Sequence, residues 1–449
     1  MMKLAGKTVV VVGLGESGVA ATLLALAQGA DVVAVDSAPD ERLSQAARDL
    51  GAKGARVIAG WRDDGIVKRA DVVVVSPGVP PIAIFDQASE SGSLVLGELE
   101  FASRFVDAPI VAIGGTNGKS TTTALVHEML AASGKKSFVG ANFGRPLSLA
   151  AGQPYDVLVL EVSSFQMERA PTFRPRVAVL LNITEDHLDR YPSFLDYAAA
   201  KGNMFKNQTS DDVAVVPKGD SPIAREAARG DGRMVTFGPG GDVGTDPAAQ
   251  SVVDRLRGRS YAVSDIRLRG THNLLNVAAA IACASEAGAG PEAIGRVLAS
   301  FEGLPHRTSF VSEIRGVKYY DDSKGTNVGA AVSAIKGLAE SRVVLIAGGR
   351  DKRGDYGPLA AELAAKGRAV VLIGEAASRI ADAVKGSVEI AHATSMDQAV
   401  TLASTLAAPG DAVLLSPACS SFDMFRDYKD RGDAFVRAVR AMTAEERRA

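Results

Sequence analysis

Short runs of β-branched apolar residues recur along the chain at the spacing of a parallel sheet. Thr8–Val12, Asp31–Val35 and Asp71–Val75 are such runs, and alanine-rich stretches of helical character separate them. That alternation is the βαβ pattern. The series continues with Ile110–Ile113, Val157–Leu160, Val177–Leu181 and Val213–Val216, then a turn-rich patch Gly238-Pro239-Gly240-Gly241 and a helical segment Asn273–Ala287. Beyond Gly303-Leu304-Pro305 strands and helices alternate again, with strands expected at Val317–Tyr320, Val343–Ala347, Ala369–Ile373 and Ala412–Leu415. The pattern predicts an α/β chain of three domains: a Rossmann-like domain over 1–97, a larger central α/β domain over 98–303 and a second Rossmann-like domain over 304–449.

Length agrees with that division, since 449 residues exceed what one core organises at about 150 residues per domain. Lys plus Arg number 50 and Asp plus Glu 52, a net charge of −2. Such a balance gives no general attraction for nucleic acid or an anionic membrane, so partners are expected to be small and site-specific. The two cysteines, Cys283 and Cys419, are far apart and lack metal-type spacing, which fits a reducing cytoplasm. The first apolar run is too short for a signal segment, and no stretch of 18 apolar residues occurs. A soluble, cytoplasmic, untargeted protein is expected.

The most specific motif is Gly115-Thr116-Asn117-Gly118-Lys119-Ser120-Thr121, which follows the apolar run Ile110–Ile113 and opens a helical stretch. Glycine lets backbone N–H groups close on phosphate, and the helix N-terminus adds its positive dipole end. Lys119 supplies a point charge, and the Ser120 hydroxyl can ligate Mg²⁺. Ile113 stands where the common P-loop has its first glycine, so this is a compact variant. The middle domain is therefore expected to be P-loop ATPase-like and to hold ATP. A second glycine turn, Gly13-Leu14-Gly15-Glu16-Ser17-Gly18, follows the first strand, and Asp36 ends the second. By itself this pair reads as a dinucleotide site. Glu161 and His187 follow the runs Val157–Leu160 and Val177–Leu181, at the carboxyl strand ends where open α/β sheets bind ligands.

Those motifs, with Glu161-Val162-Ser163-Ser164-Phe165-Gln166, Asn182-Ile183-Thr184-Glu185-Asp186-His187, Gly270-Thr271-His272-Asn273, Asp321-Asp322-Ser323-Lys324-Gly325-Thr326-Asn327 and Ser416-Pro417-Ala418-Cys419, resemble the Mur ligases through all three domains. Within that family the leading glycine turn and the Asp322-Ser323-Lys324 and Ser416–Phe425 runs are most similar to the members that add D-glutamate to UDP-N-acetylmuramoyl-L-alanine. The resemblance implies an ATP-dependent amide ligase of peptidoglycan precursor synthesis that works through an acyl phosphate, acting as a monomer. A carboxylate is a poor electrophile until ATP activates it, and both activation and attack by the amine build negative charge, which fixed cations and Mg²⁺ stabilise.

Carried over residue by residue, the resemblance gives Lys119, His187 and Lys201 catalytic roles. Ser120, Glu161, His187 and Lys201 would hold a pair of Mg²⁺ ions, Lys201 as a carbamate. ATP would meet Gly115 to Thr121, Asn273, Asn276, Arg307, Asp322 and Lys324. The UDP-sugar would meet Gly13, Gly15, Ser17, Gly18, Asp36, Ser37, Gly78, Asn142 and Gln166, with the first glycine turn on its diphosphate. D-glutamate would meet Thr326, Lys352, Ser421 and Tyr428. Taken without the resemblance, Lys201 is as readily a lysine on an exposed helix, Lys352 a solvated loop charge, Tyr428 a packed helix residue, and Asn273 and Asn276 helix caps. Sibling ligases, a folylpolyglutamate synthase and a non-catalytic nucleotide switch are the competing readings. Asn117 and Ser323-Lys324 disfavour the L-alanine-adding sibling, and the leading Rossmann-like domain disfavours the folate enzyme.

Overall fold

The computed structural model describes residues 2–62, 65–186, 190–268, 270–351 and 354–446. Three sheets account for the strands, and each is the core of an α/β domain. The first sheet has the spatial order Arg56–Ile58, Asp31–Val35, Thr8–Val12, Val72–Val75, Leu94–Gly97, all parallel. Its three central strands are valine runs buried on both faces, as a sheet covered by helices on each side requires. The chain leaves Thr8–Val12 in one direction and returns on its other side at Val72–Val75. The crevice above those two strands is therefore the switch point where such sheets bind ligands.

The central sheet runs Arg259–Ala262, Ser251–Asp254, Val243–Asp246, Arg233–Phe237, Val213–Pro217, Val177–Leu180, Ile110–Gly114, Val157–Glu161, Ser137–Ala141. Its strands are parallel except for the antiparallel pairings of Ser251–Asp254 with its two neighbours. Ile113 is in register with Glu161, Gly114 with Leu180, and Ala141 with Glu161, so four strands end at one level. One apolar core, from Leu4 through Leu96 to Ala227, passes through both sheets. The seam carries a fully buried carboxylate: Glu98 accepts from Ser148 N at 2.8 Å and Ser148 Oγ at 2.7 Å. Burial pushes the Glu98 carboxyl above its ordinary range. Gly97 N donates to Arg169 O at 2.9 Å, and the Arg169 guanidinium lies over the Phe85 ring.

The third sheet runs Ser309–Ile314, Val317–Asp321, Ala412–Leu415, Val343–Gly348, Gly367–Ile373, Glu389–His392. Only its first pairing is antiparallel. Apolar clusters around Leu345 and Leu363 on one face and Ile346 and Phe435 on the other bury it from both sides. By compactness the chain forms two units. The first comprises 1–183, 197–265 and 275–299, and the second comprises 184–196, 266–274 and 300–449. Among the described residues no helix is long and apolar enough to cross a membrane.

Candidate active site

The phosphate loop begins where Ile110–Gly114 ends. Gly115 has φ +144° and Gly118 φ +83°, both in the region that favours glycine. A Cβ on Gly118 would lie 2.2 Å from Asn276 Oδ1, so the second glycine is also required by close approach of that asparagine. Lys119 starts the helix Lys119–Ala132, whose N-cap Gly118 offers no side-chain acceptor to the first turn. Lys119 Nζ caps the carbonyls of Gly115 (2.9 Å) and Thr116 (2.8 Å), over the mouth of the loop. Thr121 is buried in the first helical turn. Asn182 braces the loop from the next strand end, accepting from Asn117 N at 2.9 Å and donating to Asn117 O at 3.0 Å. Tyr197 OH lies 3.2 Å from Thr116 Oγ1. Neither brace is announced by the sequence, although Asn182 heads the run Asn182–His187.

Glu161 ends Val157–Glu161 and is 3% exposed. Its Oε2 accepts from Ser120 Oγ and its Oε1 from Asn142 Nδ2, both at 2.5 Å. Asn142 is carried there by Ala141, which sits at φ +62°. Alanine in the left-handed region costs about 1 kcal/mol, and the bond from Asn142 N to Glu161 O (2.9 Å) holds the turn nonetheless. Lys201, in the helix Phe194–Gly202, is only 4% exposed, which removes the exposed-helix reading. Its Nζ donates to Gly115 O at 2.9 Å and lies 4.5 Å from the centre of the Tyr197 ring. Gly115, Lys119, Ser120, Asn142, Glu161, Lys201 and Asn276 thus converge at one strand edge. His187 lies outside the described residues. Among those described no group of three His, Cys, Asp or Glu side chains is gathered. The donors present, a serine hydroxyl against a buried carboxylate, are hard oxygens of the kind Mg²⁺ prefers, so they fit that ion.

The helix Thr271–Glu286 contains Asn273 in its first turn and Asn276 one turn on. Neither is at the cap, so capping does not explain them. Asn276 is buried against the phosphate loop and Asn273 is half-buried.

At the first sheet, Gly13 has φ +88°, and a Cβ on Gly18 would lie 1.7 Å from Gly13 O. Ser76 Oγ donates to Gly13 O at 2.7 Å, joining the turn to the far side of the switch point. Gly15, N-cap of the helix Glu16–Ala27, brings no side-chain acceptor, so its first-turn N–H groups, including that of Ser17, suit an anion. Glu16 points to solvent. Asp36 braces the same turn: Oδ2 accepts from Leu14 N at 2.6 Å and Oδ1 from Ala38 N at 2.8 Å. Each oxygen keeps a second lone pair. Ser37 and Gly78 lie near the rim, Ser37 exposed and Gly78 with open space at its Cβ position. Gln166 Oε1 is committed to a capping box with Ser163, which leaves its Nε2 as the end able to donate.

In the second unit, Asp322 is buried where Val317–Asp321 ends. Ser416 Oγ donates to its Oδ2 at 2.6 Å, and Thr308 N and Oγ1 to its Oδ1 at 3.1 and 3.2 Å. Burial pushes its carboxyl up to about 7 against the opposing pull of Ser416, Arg307 and Thr308. Arg307 is half-buried beside it. Lys324 Nζ lies 3.9 Å from the centre of the Tyr428 ring, so an expected nucleotide residue and an expected amino-acid residue touch. Ser421 is buried and Thr326 half-buried on neighbouring loops. Lys352 lies outside the described residues. Its neighbour Asp351 accepts from Tyr356 OH at 3.0 Å and pairs with Arg379. Next to Asn327 and Tyr356 a cavity of about 310 Å³ opens, bordered by Thr184, Asp186 and Ala418.

Comparison with known proteins places this geometry. Residues 7–97 match the MurD-like N-terminal domain of Mur ligases, 113–284 the Mur ligase middle domain, and 306–419 the glutamate ligase domain. The UDP-N-acetylmuramoylalanine–D-glutamate ligase of Desulfosudis oleivorans is 46% identical, over 97% of this chain and 96% of its own. The chain belongs to the Mur ligase family. Two solved Mur ligases from Thermotoga maritima share the three-domain fold. The UDP-N-acetylmuramate-alanine ligase MurC has TM-score 0.60 and 21% identity over 97% of this chain and all of its own. The MurF ligase in complex with ADP has TM-score 0.61 and 18% identity over 93% and 96%.

Proposed function

We propose that this Mur ligase joins D-glutamate to UDP-N-acetylmuramoyl-L-alanine at the expense of ATP, in peptidoglycan precursor synthesis. The observation that carries the nucleotide half is the strand edge where Lys119, Ser120 and Glu161 meet. The acceptor rests on the full-length 46% identity to a D-glutamate ligase. The substrate carboxylate attacks the γ-phosphorus, releasing ADP and leaving an acyl phosphate. The amine of D-glutamate then attacks the acyl carbon, and the tetrahedral oxyanion collapses to the amide with loss of phosphate and a proton.

In this reading the boundaries are 1–97, 98–303 and 304–449. The Gly115–Thr121 loop cradles the phosphates, Lys119 stabilises charge on the transferred group, and Asn273, Asn276, Arg307, Asp322 and Lys324 hold the rest of ATP. Gly13, Gly15, Ser17, Gly18, Asp36, Ser37, Gly78, Asn142 and Gln166 position the UDP-sugar. Thr326, Lys352, Ser421 and Tyr428 receive D-glutamate. Ser120, Glu161, His187 and a carbamylated Lys201 would hold a pair of Mg²⁺ ions, which when bound would supply positive charge beside the phosphoryl oxygens. The enzyme works as a cytoplasmic monomer with small-molecule partners, without nucleic acid or membrane.

A panel of amino acids offered with UDP-N-acetylmuramoyl-L-alanine and ATP tests this: ADP release is expected with D-glutamate and not with L-glutamate or L-alanine. Release with another amino acid reassigns the acceptor, and binding of ATP without turnover of any of them makes the chain a nucleotide switch.

A pH dependence follows from Asp322. Because burial raises its folded pKa to about 7, Asp322 favours the fold fully below the ordinary carboxylate range, and that contribution is lost as pH rises through about 7. Ribose hydroxyls donate best to the ionised form, so ATP binding should expel its proton, and affinity should fall roughly tenfold per pH unit below 7. Calorimetry at pH 6.5 in two buffers of different ionisation enthalpy reads the proton release. The Asp322→Asn variant should lose the portion not due to ATP's own phosphate, and equal release from both proteins would remove Asp322 from the nucleotide site.

A further inference from the structure

Arg431 is fully buried, in the first turn of the helix Tyr428–Glu446. Arginine is rarely buried without a carboxylate partner, and positive charge is disfavoured at a helix N-terminus. Yet every hydrogen bond from its guanidinium goes to a neutral oxygen. Nε donates to Ser323 Oγ at 3.0 Å and Nη2 to Ser323 O at 2.9 Å. Nη1 and Nη2 reach Cys419 O at 3.1 and 3.2 Å, and Nη1 reaches Gly348 O at 3.5 Å. Burial lowers its pKa to about 10, so it remains charged at neutral pH.

The three residues that accept these bonds follow or end three adjacent parallel strands: Val317–Asp321, Ala412–Leu415 and Val343–Gly348. The loops they begin carry Lys324 and Thr326, then Ser421, then Lys352. Ser323 Oγ in turn donates to Tyr428 O at 2.8 Å, which ties the helix start into the same network. Room for the fork is made by glycine. Gly349 has φ +134°, and a Cβ there would lie 3.1 Å from Arg431 Nη1 and 2.2 Å from Ser420 O. A Cβ on Gly432 would lie 2.2 Å from His306 Nδ1, so the helix approaches only because that residue has no side chain.

We infer that Arg431 is the positioning residue of the amino-acid site: one planar guanidinium fixes the spacing of three strand-end loops, two of which carry Thr326 and Ser421, and of the helix start at Tyr428. This rests on the assignment of those loops to the amino-acid substrate. Lysine cannot replace it, because three donors on one nitrogen do not span carbonyls on three strands.

The test measures KM for D-glutamate and for the UDP-sugar separately, at saturating ATP, in Arg431→Lys and Arg431→Ala. Removing one or two charge-assisted hydrogen bonds should raise the D-glutamate KM by ~10-fold or more. The UDP-sugar KM should stay within about twofold, since its residues belong to the first unit, and added guanidinium should partly restore Arg431→Ala where methylammonium does not. An unchanged D-glutamate KM in Arg431→Lys, or a parallel rise in both KM values, overturns the inference. If Arg431→Ala fails to fold, Arg431→Lys alone decides. Should the wild-type chain use another amino acid, the substrate reading fails while the KM split for that amino acid still judges Arg431.

Discussion

Lys119→Ala is expected to lower the rate of ADP release by ~10²-fold or more, because a preorganised cation aimed at developing charge contributes on that scale. Lys119 is placed for this by the turn that precedes it. Gly118 in the left-handed region starts the helix abruptly, and the lysine side chain bends back over the loop to the carbonyls of Gly115 and Thr116. Those bonds hold Nζ at the mouth of the cradle, where a terminal phosphoryl group can take it over. Alanine removes the charge but leaves the helix intact, since alanine is the best helix former. Single-turnover measurement at saturating ATP isolates the chemical step. A variant within threefold of wild type there would show that the loop binds something other than the reacting phosphates.

Lys201→Ala is expected to abolish measurable turnover, with partial recovery on adding acetate or formate. Its amine is held in a nearly dry site between Gly115 O and the Tyr197 ring. Loss of one proton from the ammonium followed by reaction of the neutral amine with CO₂, which forms a C–N bond and releases a second proton, would convert a buried cation into an oxygen anion of the sort Mg²⁺ takes up. Alanine leaves a space of about that length, which a small carboxylate can fill. Lys201→Arg separates the explanations, because it keeps positive charge but cannot carry a carbamate. Full activity in Lys201→Arg, or loss in Lys201→Ala that no acid relieves, would leave Lys201 as packing for the loop.

The interior of the fold was written plainly in the chain, and its margins were not. Thr8–Val12, Asp31–Val35 and Ala412–Leu415 were readable to the residue because strands covered on both faces need an apolar run through their buried positions. Arg56–Ile58, Ser309–Ile314 and the hairpin Ser251–Asp254 with Arg259–Ala262 carry no such run. They lie at or near sheet edges, where polar side chains reach water, and only pairing with a neighbour defines them. The same divide runs through the site. The phosphate loop announces itself because glycine, lysine and serine must be contiguous, whereas Asn182 and Tyr197 support it from distant segments. Lys201 and Arg431 were the least legible, since a lysine or arginine in a helix reads as solvated until the fold closes over it.

The second compact unit takes Thr184–Asp196 and Ile266–Leu274 out of the stretch that otherwise builds the first. No single cut therefore releases either unit whole. A fragment beginning at residue 304 lacks two pieces of its own body, and exchanging the last third of the chain with that of a distant cousin would strand them in foreign company. Chimeras that transplant all three stretches together should tolerate recombination far better than those joined at one point.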